Sequence, residues 1–126
     1  MTQEEKELLL KDLCARLPYG VKLQCGGVLI GETHQRYMKE RCDTTLYSIT
    51  EVYDNCYVIN GRYDLIEVKP YLRPMYSMTE EEFKEHSNHM NVNPILWFHY
   101  ELDWLNKKMF DYRGLIEKGL AIKAPD

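Results

Sequence analysis

A Cys-x-x-Cys pair is missing from this chain: its four cysteines, Cys14, Cys25, Cys42 and Cys56, stand 11, 17 and 14 positions apart. That spacing excludes a zinc ribbon and a thioredoxin-type centre. Apolar runs are short, none near the roughly 18 residues of a membrane span, so no membrane partner is expected. There is no Gly-rich phosphate loop, no Ser-His-Asp order and no zincin helix, and no catalytic residue, metal or cofactor is assigned. An excess of positive charge is lacking too. Sixteen Lys and Arg against twenty Asp and Glu leave a net charge of −4, which disfavours nucleic-acid binding driven by counterion release alone. Internal repeats and low-complexity segments are absent.

What the chain has in quantity is aromatic and aliphatic surface. Ten Tyr, three Phe and two Trp, within 44% apolar residues, are more than a disordered chain leaves in water. A length of 126 residues suits one domain. Charge is uneven along it: residues 21–74 carry seven basic and seven acidic side chains, residues 75–126 six basic and nine acidic. The N-terminus is charged from Glu4 onward, unlike a signal peptide. With thiols in no disulfide pattern, this predicts a cytoplasmic protein.

The chain is organised around residues 65–82, where strands give way to helices. Pro70 and Pro74 each remove a backbone donor and fix φ, so neither is expected in a central strand or a helix interior. Lys69 and Arg73, which precede them, are biased towards extended backbone. Thr79 and Glu82 then spell a capping box. Upstream, residues 2–17 read as an amphipathic helix. Thr2 with Glu5 offers a second capping box, Leu9, Leu10, Leu13, Cys14 and Leu17 recur at helical spacing, and Pro18 and Gly20 stop it.

Residues 21–25 alternate as a half-buried strand with Val21, Leu23 and Cys25 inward. Gly26-Gly27 turns into residues 28–33, a polar stretch over 34–43 follows, and residues 45–53 are rich in β-branched and aromatic side chains. Asp54-Asn55 leads to residues 56–59. Asn60-Gly61 is the signal of a type I′ hairpin turn, which needs positive φ at both positions, and residues 62–68 return from it. These five short strands after one helix predict an α+β fold: a five-stranded antiparallel SH3-like or Sm-like small barrel in residues 1–74. A C-terminal helical segment, residues 75–126, packs on the same domain. It reads as an acidic helix from Glu80 to about His89, then a helix opened by Asn93-Pro94. The second helix carries Ile95, Phe98, Leu102, Leu105 and Met109 in one stripe, flanked by Trp97 and Trp104. Asp111 is placed to cap a short helix over 112–118, ended by Gly119, and residues 120–122 lie back on the body.

Three blocks carry a resemblance. They are residues 13–22 (LCARLPYGVK), 67–75 with 77–81 (EVKPYLRPM, SMTEE), and 103–106 with 110–116 (DWLN, FDYRGLI). They resemble a family of small uncharacterised proteins from gut Bacteroides and their phages or prophages. The likeness covers both ends and the hinge and leaves out residues 23–64. It implies a phage or mobile-element setting inside a bacterial host, and no particular chemistry.

His86-x-x-His89, with His99 as a third, has metal-ligand spacing but falls at a polar helix end, and a pair alone is no site. Cys14 and Cys25 fall on apolar faces and read as core, which leaves Cys42, between Arg41 and Asp43, as the thiol placed to react. Glu80, Glu81 and Glu82 suit a helix N-terminus better than a carboxylate site. The candidate ligand site is Arg36, Tyr37, Lys39 and Arg41, with Tyr47, Tyr53, Tyr57 and Tyr63 on nearby strands. Rings and cations together are what single-stranded nucleic acid or a nucleotide needs; the competing reading is a solvated loop over a tyrosine-rich sheet. Tyr112 and Arg113, before Gly114, form a second candidate, a cation for carboxylate or phosphate. The competing reading there is an intramolecular ion pair beside a helix cap. An acidic helical surface and the lack of a catalytic constellation point first to a non-enzymatic phage or prophage accessory protein that binds a bacterial host protein. A nucleic-acid or nucleotide-binding module comes second. Open strand edges leave room for a homo-oligomer.

Overall fold

A computed structural model describes residues 1–31, 36–88 and 94–125, without the side chains of 88 and 94–98. Helix α1 (Gln3–Arg16) starts on the expected capping box: Thr2 Oγ1 accepts from Glu5 N at 3.1 Å, and Glu5 Oε1 accepts from Thr2 N at 2.9 Å. It ends in a turn over Leu17–Tyr19, where Gly20 takes φ 69°. Its buried stripe is Leu9, Asp12, Leu13 and Arg16. Cys14, expected in the core, is exposed instead, because it lies one position round from that stripe.

The strands follow as β1 (Lys22–Cys25), β2 (Leu29–Ile30), β3 (Tyr37–Met38), β4 (Cys42–Thr45), β5 (Ile49–Tyr53), β6 (Cys56–Ile59), β7 (Tyr63–Asp64) and β8 (Val68–Leu72). Helices α2 (Glu80–Asn88) and α3 (Pro94–Lys107) come next, and β9 (Ile122–Lys123) closes the order. Three sheets result: β4-β1-β8-β9, the ribbon β2-β3, and β5-β6-β7. The fold is thus α+β with an N-terminal helix, and among the described residues the sheets do not close into one barrel.

Two local features separate the sheets. Residues 45–53 are not one strand, because Asn60 pins a corner in them: its Oδ1 accepts from Tyr47 N at 2.8 Å and Ser48 N at 3.2 Å, and its Nδ2 donates to Thr45 O at 2.9 Å. The predicted turn is there, with φ 54° at Asn60 and 69° at Gly61. The return strand then breaks in a turn over Leu65–Glu67, so the chain pairs with β6 only through β7 and delivers β8 to β1.

Pro70 sits inside β8, against expectation. Gly26 N donates to Glu67 O at 3.0 Å, and antiparallel alternation then makes Leu23↔Pro70 a pair without ladder bonds. The missing N–H therefore faces away from β1, and β9 joins β8 only from Tyr71 onward. Gly26 is required where it stands: at φ 77° a Cβ would lie 2.4 Å from the Glu40 carbonyl oxygen.

The core joins both ends of the chain. Leu9 and Leu13 of α1 meet Val21, Leu23 and Cys25 of β1, Val68 and Leu72 of β8, and Leu115, Leu120 and Ala121. A second cluster holds Trp104, Leu105 and Phe110. The Thr79–Glu82 capping box forms, with both bonds at 3.1 Å. Asn93, His89 and the side chains of Ile95, Trp97 and Phe98 lie outside the described residues. Met109, expected on the helical stripe, instead takes φ 62° just past α3 and stops it. The short helix expected over 112–118 does not form, and Asp111 instead ties turns together, accepting from Leu115 N at 2.8 Å and Ile116 N at 3.0 Å.

Candidate functional site

The expected platform of rings and cations over residues 36–63 is not assembled. Arg36 and Tyr37 open β3 in solvent. Lys39 turns inward: its Nζ donates to Arg62 O at 2.7 Å and Glu67 Oε1 at 3.1 Å, above the Tyr63 ring. Arg41 faces the Gln24 side chain. Among the tyrosines, Tyr63 is buried, whereas Tyr47 and Tyr53 are exposed. Tyr53 pairs with Cys56 and Tyr57 with Glu51, and adjacent residues of β6 point to opposite faces. Tyr53 and Tyr57 therefore face opposite sides of their sheet and do not form one platform.

Tyr112 and Arg113 are engaged within the fold. Asp12, fully buried on α1, takes Arg16 Nε at 2.9 Å and Nη2 at 3.1 Å, and Arg113 Nη1 at 2.8 Å. Arg16 Nη2 also donates to Phe110 O at 2.6 Å. Tyr112 lies against both guanidinium groups, 5.4 Å from Arg16 and 4.5 Å from Arg113. The ion-pair reading of Arg113 is the one observed, whereas Tyr112 also lines a cleft. The spacing of Asp12 and Arg16, in phase with Leu9 and Leu13, was the signal for their burial.

His86 Nε2 lies 2.6 Å from Glu101 Oε1, joining α2 to α3, and His99 is exposed. Among the described residues no three His, Cys, Asp or Glu side chains are grouped to hold a metal. Glu82 is both cap and ion-pair partner: Arg73 binds it through two bonds, at 2.6 and 2.7 Å, and stacks 4.3 Å from the Phe110 ring. Those bonds hold the Glu82 carboxyl down at about 2, against burial and with help from the Thr79 backbone.

Among the described residues, besides a cleft of about 530 Å³ lined by Tyr76, Tyr112 and Lys123, two surfaces are open. One is a cleft of about 540 Å³ walled by Lys22, Asp43, Tyr71, Arg73 and Lys108. Its charges are largely matched inside the protein, with Tyr71 Oη on Asp43 at 2.8 Å, Arg73 on Glu82, and Lys108 3.7 Å from Glu85. The other is the ribbon. Leu29 pairs directly with Met38, and both are more than half exposed, at 54% and 61%. Tyr37, across from Ile30, is half exposed on the ribbon's other face. Sequence reading picked out Tyr37 and its cations but missed Leu29 and Met38. Their pairing depends on a register that composition does not give.

No family model, curated protein or solved structure matches the chain. No helix of the described residues is long and apolar enough to cross a membrane.

Proposed function

We propose that this chain is a non-enzymatic accessory protein of a phage or prophage, and that it docks on a bacterial host protein through the β2-β3 ribbon. The observation that carries this reading is the exposed Leu29–Met38 pair, on a two-stranded ribbon that, among the described residues, pairs with neither of the other sheets. Interface cores favour Tyr, Met and Arg; Met38 is in the exposed pair, and Tyr37, Arg36 and Arg41 lie on β3 or beside it. The free backbone edges of such a ribbon also accept an added strand. A nucleic acid or nucleotide would use the same Arg36, Tyr37 and Arg41. The engagement of Lys39 with Glu67 and the net charge of −4 favour that less.

The test compares the wild type with a Leu29→Asp/Met38→Lys variant, both as bait in a bacterial host lysate. Both substitutions are on exposed positions, so stability should stay within about 0.5 kcal/mol. The expected result is one host protein retained by the wild type and lost with the variant. Retention of the same protein by both would overturn the ribbon as the docking surface. A salt-sensitive nucleic acid in native mass spectra, weakened by Arg36→Ala and Arg41→Ala, would favour the second reading.

A further inference from the structure

Cys25 and Cys42 stand directly opposite each other across β1 and β4. Val21 O accepts from Leu46 N at 2.8 Å, and alternation along the ladder makes Cys25↔Cys42 a hydrogen-bonded pair, whose Cα atoms sit about 5.5 Å apart. That falls within the range of about 4.4–6.8 Å seen for disulfides. Opposed residues share a face, so both sulfurs lie on the side of the sheet that holds Tyr63, whose Oη is 3.0 Å from Cys42 Sγ. We propose that Cys25 and Cys42 form a reversible disulfide when the chain meets a peroxide.

The two thiols have different roles. Cys42 is exposed and reaches the oxidant first, whereas Cys25 is buried. Burial foremost, then the nearby Cys42, Asp43 and Glu67, pushes the Cys25 thiol up to about 11, so it stays protonated. The Cys42 thiolate attacks one peroxide oxygen; the O–O bond breaks, leaving Cys42 sulfenic acid and, after proton uptake, water. The Cys25 sulfur then attacks the Cys42 sulfur. The S–S bond forms, the S–O bond breaks, and the hydroxyl leaves as a second water with the Cys25 proton. Two thiols lose two electrons, and one peroxide becomes two waters.

Opposed Cβ atoms lie roughly 5 Å apart in a ladder, against about 3.8 Å in a disulfide, so the strands must close by about 1 Å. β4 is at the edge of its sheet, with β1 on one side, so the shift disturbs one ladder only. A bond formed under such strain is more easily reduced, hence reversible. It closes residues 26–41, which carry the ribbon, at their base. The proposal rests on the register alone and stands apart from the docking reading.

The test oxidises the reduced full chain with hydrogen peroxide, alkylates remaining thiols under denaturing conditions and reads intact and peptide masses. Trypsin leaves Cys42 and Cys56 on one peptide, residues 42–62, so a Cys14→Ser/Cys56→Ser variant is run in parallel. The expected product is a monomer lighter by two hydrogen atoms, with residues 23–36 joined to 42–62, restored by dithiothreitol. It persists in the double variant and is lost in Cys42→Ser, an exposed substitution. Free, alkylated Cys25 beside a Cys42 carried to sulfinic acid would overturn the proposal, as would bonds through Cys14 or Cys56 instead.

Discussion

Asp12 is the residue on which the most depends. It is fully buried with two guanidinium groups on it, and one of them, on Arg16, is itself fully buried. Burying charge is tolerable only while every partner is in place, and removing one member of such a pair costs about 3–5 kcal/mol. Asp12→Ala should therefore lower the unfolding free energy in urea by that amount, a large part of what a small domain has. Replacing both fully buried members, as in Asp12→Leu/Arg16→Met, leaves only Arg113, which reaches solvent in part, without its partner and should cost less than Asp12→Ala alone. An equal or larger loss in the double variant would show that the pair stabilises beyond filling its space. Glu82 sets the acid response. Its folded-state value of about 2 lies below the ordinary 4.5. Its contribution is present above about 4.5 and is lost as pH falls towards about 2. Glu82→Gln should be less stable at neutral pH, with a flatter stability profile through that window in chemical denaturation.

At the scale of elements, the hydrogen-bond phase of β8 decides what each of its positions accepts. Pro70 holds a place where no ladder donor is needed, so Pro70→Ala should cost about 1–2 kcal/mol, through the freer unfolded chain and the lost packing of a buried ring. Lys69 is one residue away and paired with Gln24 in the bonded phase. Lys69→Pro should cost more, about 2–4 kcal/mol, because it removes a ladder donor and leaves its acceptor on half-buried Gln24 unmatched. Similar losses for the two in thermal unfolding would contradict the assigned phase. What was legible in the sequence was what a few neighbouring residues determine: both capping boxes, the inward Val21, Leu23 and Cys25, and the Asn60-Gly61 turn. What was not legible depended on distant partners. The corner at residues 45–48 is held by a side chain at 60, the return strand breaks to reach β1, and the buried charge of Asp12 is answered by Arg113, far along the chain. The candidate site divides the same way. Arg36 and Tyr37 are open as their composition suggested, whereas Lys39 is taken by Glu67, which only the tertiary fold brings to it.

At the scale of the whole molecule, the C-terminal segment is tied into the sheet rather than laid upon it. Arg73 N donates to Met109 O and Asp111 N to Arg73 O, both at 2.8 Å, and Ala124 N reaches Leu72 O at 2.8 Å. Leu115, Leu120 and Ala121 share one core with Leu9 and Leu13 of α1. The polar cluster closes the same seam through Arg16 to the Phe110 carbonyl. No stable remainder is left when one side opens, since the sheet would expose Leu72 and strand Asp12 and Arg16 together. Unfolding should therefore be a single transition. Both tryptophans, Trp97 and Trp104, lie on α3, so their fluorescence reports the C-terminal segment, while far-ultraviolet circular dichroism reports helices and sheets together. The two urea curves should superpose, with one midpoint and one slope. A fluorescence change completed at lower urea than the dichroism change would mean that α3 leaves before the sheet does, and would place the seam at Phe110 and Arg113 among the weak contacts of the fold.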